Sequence, residues 1–509
     1  MAEQRGKSRP GGTRLALGVT AVIAGATLSW ACRRSGGEAS SASPPVALRL
    51  GISQVSATNP AIGLRQLTSL LTQENLARTG EDGRMLPALA EGWTTGKDGR
   101  SLLVKLRPKV TFHDGYALDA DALVKILPDS LKSFMGPVFP DVEEIRAVGK
   151  DTVEIVFRQA SPFILETLET PIQRAGIPPP GTGPYIGTPG SMTAFEANAN
   201  YYLGKPAIEH IDVTTYPTVR AAWAELLRDR IDMLWEVGPD AVDSMTSSSS
   251  VSMFTYTRRY QFVLAFNPSA SVVRSKDVRR ALNAAIDRDV LVRNALNGHG
   301  VASVGMVWPQ HWALQNDRRK LTFDPQAAAD TINRATGKAT KANVRLHFTC
   351  LVPPDSLTER VALEVKRQFE QVGVDMTLEE LSQEQLIQRL GKGNYEAMLF
   401  EFIGGPTILR PYLVWHSGAP INWGHFGNKS IDDALDAVRF SGSDTDYRSA
   451  VANLNKVSTD DPPALFLAWQ ERARAVSKRF SVPSEPGRDI LGTLRLWKPA
   501  GNSRQTSRN

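Results

Sequence analysis

The chain has 509 residues, is 42% hydrophobic and 22% charged, and holds 40 Gly and 32 Pro, which excludes a disordered, low-complexity or collagen-like chain. That length exceeds what one hydrophobic core usually organises, so two or three domains are expected. Half of the formal charge of +6 is N-terminal: residues 1–31 carry four basic side chains and one acidic, and the remainder has 55 basic against 52 acidic residues, which gives no reason to invoke nucleic acid as a partner.

Arg5, Lys7, Arg9 and Arg14 precede an apolar run from Leu15 to Trp30, about 16 residues and too short to cross a bilayer core comfortably. This is the order of a secretory signal, assigned to residues 1–31. Leu28-Ser29-Trp30-Ala31-Cys32 resembles a bacterial lipobox, which implies acylation of Cys32 and a membrane anchor through that lipid. The Ser/Gly/Ala-rich stretch up to Pro45 has the composition of a flexible tether (32–45), and residues 499–509 read as a frayed tail.

Strands are expected at 46–53, 101–108, 151–158, 210–217, 260–267, 343–352, 374–381, 396–403 and 464–469, from β-branched and aromatic runs with partial alternation. Helices are expected between many of them. Asp277 to Asn297 opens on a capping aspartate, places Val278, Leu282, Ala285 and Ile286 on one face, and ends at Gly298. Pro325–Ala335, Ser356–Val372 and Asp432–Phe440 follow the same pattern, with Gly373 placed as a helix C-cap. A mixed α/β architecture follows, with an α/β lobe after about residue 265. Cys350, in an apolar strand, reads as a buried thiol, and no disulfide is expected.

Few motifs carry chemistry. His113-Asp114-Gly115 is first of all a turn signal, and Gly181-Thr182-Gly183-Pro184-Tyr185 lacks the lysine of a phosphate loop. The seven histidines form no HExxH pattern, although His416 and His425, nine residues apart, leave contact with a metal chelate open. No nucleophile elbow appears, so no catalytic residue is assigned. Aromatic and small residues crowd the stretch Glu401 to Asn428, directly after a strand, where ligands meet open α/β sheets.

Several ordered motifs resemble those of the peptide/nickel-type extracellular solute-binding proteins, family 5, which feed bacterial ABC importers. They are Asp82-Gly83 through Pro87, Leu89-Ala90 and Trp93; Leu106-Arg107 through Phe112-His113-Asp114-Gly115; Gly181 to Tyr185; Asn200 through Tyr202, Gly204 and Pro206; and Asp277 to Arg288. The resemblance implies a two-lobed periplasmic-binding-protein-like α/β fold (type II) with an extra subdomain. Lobe I would comprise 46–82, 181–264 and 476–498, the subdomain 83–180, and lobe II 265–475. The protein would be a non-enzymatic, monomeric receptor without cofactor or resident metal, at the periplasmic or outer face of the cell envelope, passing a peptide-like or other small solute to ABC permease subunits. A sensory receptor of the same fold is the alternative, and an extracytoplasmic hydrolase a distant third.

Ligand contacts are expected from Glu401, Gly404, Gly405, Arg410, Tyr412, Trp415, Asn422 and Trp423, with the loop after the first strand. In peptide binders of the family an aspartate pairs with the peptide ammonium, and here Gly405 occupies its place. A ligand without a primary ammonium is therefore expected unless Glu401 substitutes.

Overall fold

The computed structural model describes residues 46–55, 60–314, 321–336, 344–419, 421, 422 and 424–501. Cys32, Trp423 and residues 1–45 and 502–509 lie outside them, so the signal, tether and lipidation expectations are not addressed structurally. Among the described residues, no helix is long and apolar enough to cross a membrane.

Eleven strands form one mixed sheet, in which Tyr185–Gly187, Ala194–Ala197, His210–Tyr216, Ala47–Ser53, Met233–Val237, Ala464–Ser477, Val251–Phe266, Ala397–Ile403, Leu346–Val352 and Val374–Glu380 lie side by side in that order. Gly300–Ala302 pairs separately with Ala464–Ser477. Ala47–Ser53 is parallel to both of its neighbours, and Leu346–Val352 is parallel to both of its own. Between these two parallel groups run the long antiparallel strands Val251–Phe266 and Ala464–Ser477.

Each long strand crosses from one apolar core to others. Val251, Ala473 and Ala475 pack with Leu226, Leu234 and Val242, whereas Phe262, Leu264, Leu465 and Leu467 pack with Leu282, Phe348 and Val361. The expected strands 260–267 and 464–469 are only the second half of one and the first half of the other. The missing halves contain Arg258, Arg472 and Arg474, buried charges that break the apolar alternation by which a strand is recognised. Midway the ladder is interrupted: Thr257 faces Glu471 and Gln261 faces Trp469, so Arg258, Arg259 and Tyr260 stand opposite Gln470 alone. Such a bulge bends the strand and breaks the pairing locally.

A second, four-stranded antiparallel sheet is ordered Ala90–Thr95, Ser101–Leu106, Thr152–Phe157 and Val142–Ala147. The helix Ala120–Met135 packs on it through Leu123, Leu127, Leu131 and Met135 at fourfold spacing, and the Asp119 side chain caps it by accepting from the Ala122 N–H at 2.9 Å. Its apolar core is continuous with Phe402 of the large sheet and with Leu409, Tyr412 and Trp415 of the helix Leu409–Trp415. The Gly181–Tyr185 segment is a close approach: a Cβ on Gly181 would lie 1.9 Å from the Thr72 carbonyl oxygen, so glycine alone fits.

The expected helix 277–297 is two helices, Lys276–Ala284 and Arg288–Ala295. The extended backbone of Asp287 breaks it; the Asp287 side chain accepts from the Val290 N–H at 2.9 Å, and its own N–H donates to Gln368 Oε1 at 2.7 Å. Asp277 sits inside the first turn and Ser275 takes the cap position. Cys350 is fully buried in its strand, and burial pushes its thiol up to about 12.

Glu166 joins the four-stranded unit to the segment after Ile403. It is buried and accepts from the Leu409 N–H at 3.3 Å. Burial, opposed by a hydrogen bond from Thr407, raises its carboxyl from 4.5 to about 8. Because the folded-state value is the raised one, Glu166 favours folding fully below the unfolded value and less as pH climbs through the folded one. Each tenfold difference in proton affinity between the folded and unfolded chain is worth about 1.4 kcal/mol, so wild type is expected to lose a few kcal/mol more than Glu166→Gln between pH 5 and 8. Urea midpoints across that range check this, and parallel curves for the two proteins would refute it.

Candidate functional site

In open α/β sheets ligands bind beyond the carboxyl ends of parallel strands. Here four such ends are Ser53, Val237, Val352 and Ile403, followed by Val55, Gly238, Asp355 and Gly404-Gly405. Two belong to the first parallel group and two to the second, with the bulged middles of the long strands between the groups.

Those middles hold a buried ionic cluster. Arg472 Nε lies 3.2 Å from Glu236 Oε1, with both side chains at most 4% exposed. Arg258 lies 3.7 Å from Glu401, donates to Gln470 Oε1 at 3.1 Å and covers the Tyr260 ring at 4.1 Å. Arg474 donates to Asp489 and to the Trp235 carbonyl and lies over the rings of Trp235 and Tyr256. Burial raises the Glu401 carboxyl, an effect that Arg258 and Arg472 oppose. It also lowers Arg472, whereas for Arg258 the field of Glu236 and Glu401 outweighs it and holds the guanidinium above its ordinary range.

Gly404 and Gly405 turn the chain over this cluster. A Cβ on Gly404 would lie 2.6 Å from Trp469, so the glycine lets the backbone rest on the indole. Trp469 is fully buried and meets Trp308 edge to face at 4.7 Å; Trp308 Nε1 donates to the Glu81 carbonyl at 2.8 Å. Gly405 has φ +65 and open space where its Cβ would be. Around these residues several buried polar atoms have no hydrogen-bond partner among the described residues: Ser53 Oγ, Gln261 Oε1, Glu401 Oε1, Trp469 Nε1 and Gln470 Nε2. An unmet buried polar atom costs about 1–3 kcal/mol, and these five lie in or next to the bulged middles of the long strands and the neighbouring strands.

Of the residues expected to bind ligand, Glu401, Gly404 and Gly405 stand together here. Arg410, Tyr412 and Trp415 lie on the helix Leu409–Trp415 that follows, Asn422 in the turn after it, and Trp423 outside the described residues. Arg410 is exposed, its guanidinium 5.5 Å from the Phe134 ring. Tyr412 is buried and bonded through its hydroxyl to Asp436 and Arg439, and burial raises that hydroxyl. Trp415 is fully enclosed by Phe402, Phe426 and Phe466 at 5.3–5.6 Å. Asn422 closes a tight turn, accepting from the Phe426 N–H and donating to the Phe426 and His416 carbonyls. The sequence reading missed Glu236, Arg258, Trp469, Gln470, Arg472 and Arg474. The available signal was Arg472-Ala-Arg474-Ala, a strand alternation with arginine in the place of the apolar residue.

A concavity of about 1340 Å³ lies elsewhere. Arg280, Asp324, Arg334 and Lys456 line it, and none of the cluster does.

The family model for "Bacterial extracellular solute-binding proteins, family 5 Middle" matches residues 84–424. The chain is 22% identical over 434 residues to the dipeptide-binding protein of Escherichia coli, covering 75% of this chain and 81% of the relative. It is 25% identical over 381 residues to the nickel-binding periplasmic protein of the same organism, covering 67% and 72%. Its fold is similar to NikA from Brucella suis, solved in complex with Fe(III)-EDTA, with a TM-score of 0.76 and 20% identity over 89% of this chain and all of that one.

Proposed function

The chain belongs to the bacterial extracellular solute-binding proteins of family 5, and from that premise we propose that it captures a small polar solute at the strand ends around Glu401, Gly404 and Gly405. As a member of that family it is an extracytoplasmic substrate-binding protein of an ABC importer. The relatives above are binding proteins rather than enzymes.

Lobe I is assigned to 46–82, 181–264 and 476–498 and lobe II to 265–475, with the subdomain 83–180 riding on lobe II through the shared apolar core. Ligand burial between the lobes would favour the closed arrangement, because only differential affinity shifts such an equilibrium. The observation that supports the site is the set of unmatched buried polar atoms on Ser53, Gln261, Glu401, Trp469 and Gln470. Trp469 and Gln470 are added to the ligand-contacting set. Tyr412, Trp415 and Asn422 are proposed to brace the loop that carries it, and Arg410 to stand at its outer rim. Acylation at Cys32 is proposed to tether a monomeric receptor to the membrane.

The test is a thermal melt with alanyl-alanine, trialanine, Ni(II)-histidine and cellobiose, each at about 5 mM. A solute present at about 100 times its Kd adds about 2.7 kcal/mol to the native state. At least one is expected to raise the Tm by a few degrees, and Glu401→Gln, measured against its own ligand-free Tm, to remove that rise. Stabilisation that survives both Glu401→Gln and Gly405→Val would place the site elsewhere.

A further inference from the structure

Away from the buried cluster, a chain of polar contacts joins the helix Pro239–Thr246, which follows one parallel strand of the first group, to elements of the second. Asp240 meets Arg360 Nη1, on the helix Ser356–Glu370, at 2.6 Å and accepts from Asn297 Nδ2 at 3.1 Å. One turn on, Asp243 lies 3.1 Å from His299 Nε2, whose Nδ1 is 3.4 Å from Glu471 on a long strand. The Nε and Nη2 of Arg360 have no hydrogen-bond partner among the described residues, so Asp240 is what orients this guanidinium.

We propose that Asp240, with Asp243, forms a clasp holding the two lobes closed, and that it sets how readily the receptor closes without touching the solute. This rests on the lobe assignment above. Residues 239–246 fall in lobe I, and Asn297, His299 and Arg360 in lobe II, so these contacts cross from one lobe to the other and would break on opening. The side chains of Asp240 and Asp243 are 62% and 81% exposed, so the clasp works in high dielectric and its strength is modest and salt-sensitive. A network of this sort is expected to shift the ratio of closed to open molecules roughly fivefold. That is enough to tune capture and release without locking the receptor shut.

The test needs no solute. Spin labels are placed at Ser249→Cys and Lys392→Cys, both exposed, in the full chain carrying Cys32→Ser; Cys350 is too buried to label. Wild type is expected to give mainly one distance, that of the closed arrangement. Asp240→Ala is expected to add a longer population, shifting the ratio about fivefold, and molar NaCl to do the same to wild type. The exchange Asp240→Arg with Arg360→Asp is expected to return most molecules to the short distance. The clasp is overturned if Asp240→Ala leaves the distribution unchanged, if the charge exchange opens the molecule as far as the single variant, or if wild type is already fully open. Silence of the solute panel would not alter this result, and an unchanged distance would not alter a solute-induced rise in Tm.

Discussion

Replacing Arg472 with leucine is expected to lower the unfolding free energy by about 3–5 kcal/mol, the usual cost of removing one partner from a buried ion pair. Arg472 is fully buried and Glu236, 3.2 Å away, is 4% exposed, so the carboxylate cannot recruit water when its partner goes. Glu401 also loses one of the two guanidinium groups that oppose its desolvation. The companion variant, Glu236→Leu together with Arg472→Leu, is expected to recover most of the loss, because two apolar side chains of similar volume leave no buried charge at that position. Urea denaturation with unchanged m-values is the measurement. A single variant within about 1 kcal/mol of wild type, or a double variant no better than the single, would mean that the two side chains do not act as a buried ionic unit.

Replacing Trp469 with alanine is expected to cost a similar amount, about 3–5 kcal/mol, here through a cavity. The indole is fully buried, packs edge to face on Trp308 and supports the backbone at Gly404. Its removal leaves Trp308 without its aromatic neighbour and lets the Gly404-Gly405 turn sink, so any solute-induced rise in Tm should vanish along with the lost stability. Trp469→Phe separates the two effects: it keeps the apolar floor and removes the indole Nε1, which has no partner among the described residues. It is expected to retain most of the stability and lose affinity. Full affinity in Trp469→Phe would show that the indole nitrogen does not meet the solute.

Much of this fold is legible in the amino-acid order because apolar periodicity is local. The strands Ala47–Ser53, Leu346–Val352, Val374–Glu380 and Ala397–Ile403 announce themselves by runs of β-branched, aromatic and aliphatic residues, and the glycines at 181, 183 and 404 mark approaches too close for a side chain. The Asp287 break inside an apolar helical face was not legible. The capping aspartate is visible, but the buried Gln368 that receives its N–H comes from a helix 81 residues away.

The family resemblance and the mixed α/β class are legible in the residue order alone, and Glu401, Gly404 and Gly405, proposed as ligand contacts, are readable within a few positions of one strand. That Arg258, Arg472, Glu236 and Gln470 gather beside them emerges from the assembled sheet. Taken locally, such charges argue against a buried strand, because an isolated charge cannot leave water. They are tolerated only when strands from distant parts of the chain bring opposite charges to 3.2 and 3.7 Å from one another, and that proximity is a property of the assembled sheet.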